Sequence, residues 1–131
     1  MLPRINRLKK ERDFKKIYRF GEKKKGTFFV IRYNKNNLPY SRFGIVIPSS
    51  VIKKATKRNY FRRRISEAIR LNLNAIKKGQ DIAFLVFKAP EIVSVKDFEQ
   101  EILDLIKKAG LFDDKKDGFK NDPLVSKNTF S

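Results

Sequence analysis

The sequence predicts an α+β domain built as an α-β sandwich, a mixed, mostly antiparallel sheet packed with helices. Three observations carry this. Apolar residues recur at helical spacing in three separate stretches. Three other stretches are short runs of β-branched and aromatic residues bounded by Gly, Pro or Asn. The two kinds mix along the chain in the order helix, strand, strand, helix, strand, helix, as one packed pair of layers requires.

The first helix runs from about Glu11 to Phe20, where Phe14, Ile17 and Tyr18 recur at helical spacing and Gly21 acts as the C-terminal stop. Residues 27–33, Thr-Phe-Phe-Val-Ile-Arg-Tyr, read as a strand. Asn34 to Ser41 contains Asn36-Asn37 and Pro39 and reads as a turn. Phe43 to Ile47 is a second strand, expected to pair antiparallel with the first and ended by Pro48. Val51 and Ile52 leave room for an extra short strand after Ser49. From about Ala55 to Leu73 the residues Phe61, Ile65, Ala68, Ile69 and Leu73 form one stripe of a long helix, and Gly79 breaks the chain after it. Asp81 to Phe87 is nearly continuous in apolar character, as a central strand covered on both faces would be, and Pro90 closes it. Ser94-Val95-Lys96-Asp97 resembles a capping box with Asp in place of Glu. The stripe Phe98, Ile102, Leu105, Ile106 follows, with Gly110 as C-cap. Residues 1–112 thus form one domain. Residues 113–131 hold four acids, four lysines and few aliphatics, so a weakly ordered tail is expected.

The charge balance points to a partner. The chain of 131 residues carries 32 Lys+Arg against 14 Asp+Glu, a formal net charge of +18. Solubility alone needs only about 2–8 charges on a small domain. A polyanion is the natural counterpart, because each phosphate neutralised releases condensed counterions. Cys and His are both absent, which excludes disulfides, thiol nucleophiles, imidazole bases and the common zinc sites. No apolar run approaches the roughly 18 residues of a membrane span. The basic start, Met1-Leu2-Pro3-Arg4, leads into more charge and not into an apolar signal segment. A cytoplasmic protein is expected, with neither a membrane nor a small-molecule partner.

The charge is concentrated. Residues 1–25 carry eleven Lys/Arg against Glu11, Asp13 and Glu22. Between Lys53 and Arg70 lie Lys53, Lys54, Lys57, Arg58, Arg62, Arg63, Arg64 and Arg70, opposed only by Glu67. On a helix, Arg58 and Arg62 are one turn apart, as are Asn59 and Arg63. All four read as projecting from the side opposite Phe61, Ile65 and Ile69. A solvated helix normally alternates charge signs to gain i,i+4 pairs, whereas this one accepts self-repulsion. Arginine pairs bidentately with phosphate and stacks on bases, and Asn59 adds a donor and an acceptor for a base edge or a 2′-hydroxyl. Phosphodiester hydrolysis by protein groups would need clustered carboxylates to hold metal ions. Here Glu67 lies among arginines, and Glu101 and Asp104, an i,i+3 pair near Glu99, read as a solvated helix face. No catalytic residue is assigned.

Four segments resemble one family in the correct order. Arg58-Asn59-Tyr60-Phe61-Arg62-Arg63-Arg64-Ile65-Ser66-Glu67 resembles the RN-x-x-[KR]-R-x-x-x-E signature of the bacterial ribonuclease P protein component. Asn6-Arg7-Leu8-Lys9-Lys10 with Asp13-Phe14 resembles that family's opening segment. Arg42-Phe43-Gly44-Ile45 resembles its strand entry, and Lys54-Ala55-Thr56 precedes the Arg-Asn pair. The likeness spans roughly residues 5–110. The chain departs from the pattern in Pro48-Ser49-Ser50-Val51, where the family has a Lys-Lys pair, and in Lys53 and Ser66, where it often has Gly and Arg.

The resemblance implies a left-handed βαβ crossover, although residues alone would favour the right-handed form seen in about 98% of such connections. It implies a subunit of ribonuclease P, the endoribonuclease that removes the 5′ leader of precursor tRNA. In that family the RNA subunit cleaves, with Mg2+ held mainly by RNA, and the protein raises substrate and metal affinity. By the same resemblance, Lys54, Arg58, Asn59, Arg62, Arg63 and Arg70 contact the RNA subunit. Phe14 and Tyr18 match aromatic positions of a cleft that holds the leader. Single-stranded RNA does stack on aromatics beside basic grooves, though core packing alone would also account for Phe14. Phe29 and Arg32 are candidates for the cleft floor, of which alternation admits only one face. The alternatives are a non-enzymatic RNA-binding protein such as a ribosomal protein and, more weakly, a DNA-binding regulator, for which no helix-turn-helix spacing stands out.

Overall fold

The centre of the domain is a four-stranded sheet, one of whose two inner strands comes last in sequence. The computed structural model describes residues 2–91 and 95–113. In chain order the elements are α1 (Glu11–Phe20), β1 (Glu22–Lys25), β2 (Phe29–Lys35), β3 (Arg42–Val46), α2 (Ala55–Leu71), β4 (Gln80–Val86) and α3 (Val95–Lys108), with short 3-10 turns at Arg4–Asn6 and Leu73–Ala75. The sheet order is β1-β2-β4-β3. β1–β2 and β2–β4 are antiparallel, and β3–β4 is parallel, joined through α2 as a βαβ unit.

The expected antiparallel pairing of β2 with β3 is corrected: β4 lies between them. The reason is in its composition. Ile82, Ala83, Phe84 and Val86 are all buried, and a strand apolar on both faces is stable only where both faces are covered. The strand anticipated after Ser49 is instead a turn, in which the N–H groups of Val51 and Ile52 donate to the Pro48 carbonyl (3.0 and 3.1 Å). β1 was not anticipated. Its residues Glu22–Lys25 are all exposed, so it is a strand through backbone pairing alone, and its lysines guard a free edge.

Alternation along β2 separates two faces. Phe29, Ile31 and Tyr33 are buried, whereas Val30, Arg32 and Asn34 are half-buried. The first set faces α2 and α3 in the main core. There Phe29 meets Phe98 at 4.5 Å and Phe84 at 6.2 Å between centroids, and Phe61 of α2 meets Phe98 at 5.2 Å. Burying each such ring stabilises the fold by about 1.5–3 kcal/mol. The second set faces α1, where Leu8, Ile17 and Ala83 form a small core with Phe14 against it.

α1 ends at Gly21, but not by a left-handed turn, since Gly21 has φ −82°. Glycine is required there by space: a Cβ would lie 2.5 Å from the Ile17 carbonyl oxygen and 2.7 Å from that of Tyr33. Gly110 does cap α3 in the left-handed region, at φ 70°. Leu111 N–H donates to the Ile106 carbonyl and Gly110 N–H to that of Lys107, both at 3.0 Å, a Schellman closure. The capping box expected at Ser94 and the tail beyond Asp113 lie outside the described residues.

Candidate nucleic-acid interface

Two surfaces of different chemistry flank the sheet. The first is on α2. Phe61, Ile65 and Ile69 are buried against the sheet and α3, which leaves the other side of the helix outward. Asn59 and Arg63 are exposed there. Together with Arg7, Arg62, Ser66 and Gly44 they line a groove of about 690 Å³ between α2, β3 and the N-terminal segment. That segment is fixed along the β3 edge by Leu8 N–H donating to the Phe43 carbonyl at 2.9 Å. Arg7, whose Nε donates to the Leu2 carbonyl at 2.9 Å, joins this groove and was absent from the candidates chosen on the helix.

The expectation that all four polar residues oppose the apolar stripe needs correction. At 100° per residue only Asn59 and Arg63 do so, while Arg62 flanks the stripe and Arg58 lies on its line, a turn before Phe61, and both are half-buried. Arg58 Nη1 donates to the carbonyls of Ile52 and Lys53, both at 2.8 Å. It thereby clamps the connector that enters α2, and Nε and Nη2 have no hydrogen-bond partner among the described residues. Lys54 is the exposed N-cap residue. With Lys53, Lys57 and Tyr60 it borders a second groove at the start of α2. Arg70 is drawn to its own helix, with Nε 3.0 Å from Glu67 Oε1. That hydrogen bond raises the Arg70 pKa and lowers that of Glu67. Arg64 also borders the groove, but its Nε is 2.7 Å from Glu99 of α3.

The second surface lies between α1 and the sheet. Tyr18 is 42% exposed, and the Arg32 guanidinium sits over its ring at 5.2 Å from the centroid. Phe14 is half-buried, its ring tip so close to Gly44 that a Cβ there would fall 2.5 Å from Cζ. Phe14 therefore packs and also borders the open sheet face. Phe29 does not: it is 0% exposed, on the opposite face, in the main core. Of the two proposed floor residues, only Arg32 faces α1. Beside it the register aligns Val30, Leu85 and Val46, all half-buried, as an apolar floor. Alternation could find these only once the outward face was known.

The height of α1 above this floor is set by a buried polar tie. Arg42 Nη2 donates to Asp81 Oδ2 at 2.6 Å and Arg42 Nη1 to Asp13 Oδ2 at 3.3 Å. The Asp81 hydrogen bond pushes the Arg42 pKa up against the opposing effect of burial. Asn36 Nδ2 adds a bond to Asp81 Oδ1 at 2.9 Å.

Five of the carboxylates are committed to structural partners. Glu101, expected on a solvated face, instead accepts N–H bonds from Thr27, Phe28 and Phe29 at 2.6, 2.7 and 2.9 Å. Asp13 and Asp81 hold Arg42, Glu99 holds Arg64 and Glu67 holds Arg70. Among the described residues no three acids gather where they could hold a metal ion.

The geometry agrees with what the chain is similar to. The sequence model of the family described as Ribonuclease P matches residues 2–110. The ribonuclease P protein component of Clostridioides difficile is 38% identical over 109 residues, covering 82% of this chain and 95% of that one. That of Fusobacterium nucleatum is 40% identical over 121 residues, covering 92% and 100%. Among solved structures, a Staphylococcus aureus RNase P protein mutant described as having defective mRNA degradation activity superposes with a TM-score of 0.76 at 25% identity, covering 82% of this chain and 91% of that one. The RNase P protein from Thermotoga maritima superposes at 0.65 with 32% identity, covering 78% and 96%.

Proposed function

This chain belongs to the ribonuclease P protein family, and we propose that within that ribonucleoprotein it binds two RNAs on two surfaces. As the protein subunit of ribonuclease P it assists removal of the 5′ leader from precursor tRNA. The groove formed by Asn59, Arg62, Arg63 and Arg7, extended by Lys54 and the free donors of Arg58, takes the phosphates of the ribonuclease P RNA. Arg70 joins by exchanging Glu67 for a phosphate. The cleft of Phe14, Tyr18 and Arg32 takes the single-stranded leader. The observation that carries this reading is the placement of exposed Tyr18, with Arg32 over its ring, beside the open floor of Val30, Leu85 and Val46. An aromatic, a guanidinium and a shallow apolar floor suit unpaired bases, whereas a phosphate-only site needs none of the apolar parts.

On this reading the hydrolysis belongs to the RNA subunit. Mg2+, held mainly by RNA, supplies the activated water and the charge stabilisation of phosphodiester cleavage. The chain's own residues bind and orient: the arginines neutralise phosphates, and the cleft fixes the leader relative to them. No helix among the described residues is long and apolar enough to cross a membrane, and we place the protein in the cytoplasm with its tRNA substrates. The test is 5′ cleavage of precursor tRNA by a bacterial ribonuclease P RNA at low Mg2+, with and without the protein. A gain in cleavage is expected. No gain, with tight but unproductive RNA binding, would favour a ribosomal-type RNA-binding protein.

A further inference from the structure

The α1 face of the sheet continues past Tyr18 to a second exposed aromatic. Phe87 follows β4 directly and is 36% exposed, while its predecessor Val86 is buried in the main core. Alternation therefore turns Phe87 to the face that carries Leu85 and Val30. Lys25 of β1 pairs in register with Val30 and so shares that face, and its Nζ lies 5.0 Å from the Phe87 ring centroid. Lys23 pairs with Arg32 on the same face. A lone exposed phenylalanine needs no explanation. This one extends an apolar floor and carries a cation at its ring, with a second lysine two residues along the edge strand.

We propose that Phe87 and Lys25 form a second base-stacking subsite for single-stranded RNA, at the far end of the cleft from Tyr18. The inference rests on the cleft being the leader-binding surface. Phe87 takes the face of one base, and Lys25, with Lys23 behind it, takes the adjoining phosphates. Tyr18 sits over the row of Arg32 and Ala83, and Phe87 lies four residues beyond Ala83, about 13 Å along the strand at roughly 3.3 Å per residue. At the roughly 3.4 Å rise of stacked bases, that separation spans about three to four nucleotides. Edge strand β1, which no apolar pattern announces, thereby acquires a reason to carry Lys23 and Lys25 on its α1-side face.

The experiment is a leader-length series. Precursor tRNAs with leaders shortened one nucleotide at a time would be bound to holoenzyme reconstituted with a bacterial ribonuclease P RNA and wild-type, Tyr18→Ala, Phe87→Ala or Phe87→Tyr protein. Phe87→Ala should weaken binding about five-fold or more, the low end of one base–aromatic stack, only for leaders long enough to reach it. Phe87→Tyr, which keeps the ring, should bind as wild type. The Tyr18→Ala and Phe87→Ala penalties should begin at leader lengths about three to four nucleotides apart. Thermal melting of the free variants shows that each is folded, as the partial exposure of Phe87 leads one to expect. A Tyr18 penalty with no Phe87 penalty at any length overturns the second subsite and leaves the cleft reading standing. So do two penalties that begin at the same length, since they describe a single site. The absence of both penalties overturns the cleft reading itself.

Discussion

Gly44→Ala tests the cleft wall at its tightest point. Gly44 pairs with Ala83 in the sheet and lies under the Phe14 ring. An added Cβ would stand 2.5 Å from Phe14 Cζ, 2.6 Å from Cε1 and 3.3 Å from Leu8 Cδ2. Carbon atoms rest at about 3.5–4.0 Å, so the ring must retreat by roughly 1 Å. Leu8 hinders movement on one side, and the open cleft lies on the other. Overpacking costs about 1–3 kcal/mol, and a half-buried ring free to swing places this substitution near 1 kcal/mol. For a domain of this size that corresponds to about 4 °C in Tm.

The functional consequence is separable from the stability one. A ring pushed into the cleft no longer meets a base flat, so affinity for leader-bearing tRNA should fall about five-fold, as for loss of one stack. Binding of mature tRNA should not change. Urea unfolding gives the first quantity, and a binding titration with both substrates gives the second. In a Phe14→Ala background the ring is gone, so Gly44→Ala should cost nothing in either assay, and the cycle should show nearly complete coupling. If Gly44→Ala lowers Tm while leader affinity stays intact, Phe14 is a packing residue and its role in the cleft is refuted.

Other perturbations bear on neighbouring parts of the same design. Arg42→Met leaves Asp13 and Asp81 buried without their cation and should cost about 3 kcal/mol, the low end for a buried pair broken from one side, read by urea unfolding. Glu101→Gln keeps the shape but loses a charged acceptor of three N–H bonds. Its cost should be about 1.5–3 kcal/mol, with faster amide exchange at Thr27 to Phe29. Arg63→Ala should lower the slope of log K against log salt for RNA-subunit binding by about one, and Arg70→Ala by less, because Glu67 already holds that guanidinium. The hydrogen bond from Arg70 keeps the Glu67 carboxyl below its ordinary 4.5. Its contribution to the last turn of α2 is therefore fully present above that value and is lost as pH falls through the lowered one. Amide protection at the end of α2, corrected for intrinsic exchange, should be flat from neutral pH to about 4.5 and decline only below it.

How far the sequence could be read depended on whether a feature was local. The bounds of α1 and the stripes Phe61/Ile65/Ile69 and Phe98/Ile102/Leu105/Ile106 follow from spacing along one element, and the structure places them as read. The two-sided burial of β4 was also legible, because its run is apolar without alternation. Its insertion between β2 and β3 was not, since nearness in sequence favours the hairpin and only the competition of all strands for the centre decides otherwise. Phe29 and Arg32 show the same boundary within one strand. Alternation separates them, but which set meets α3 depends on a helix about 70 residues away. Glu101 was misread because its partners are backbone N–H donors more than 70 residues upstream, which no side-chain pattern reveals. Arg58 and Arg70 belong to the cationic face by composition, yet one clamps the connector and the other pairs within its turn.

The two proposed RNA surfaces lie on opposite faces of the sheet, yet they share a wall. Gly44 and Leu8 line the arginine groove of α2, and the same two residues back the Phe14 ring on the α1 side. β3 is the edge strand there, so only one strand and the short segment fixed to it separate the two grooves. An RNA held by Asn59 and Arg63 and a strand held by Tyr18 and Arg32 would then approach each other around a rigid edge. Binding each would raise the effective concentration of the other without any contact between them. On the proposed reading, in which the RNA subunit cuts, this is how the protein would promote cleavage: it would lower the entropic cost of bringing substrate to that RNA. It also accounts for the position of the buried Asp13–Arg42–Asp81 tie at the root of β3, since any play of α1 against that edge would blur the distance between the two RNAs.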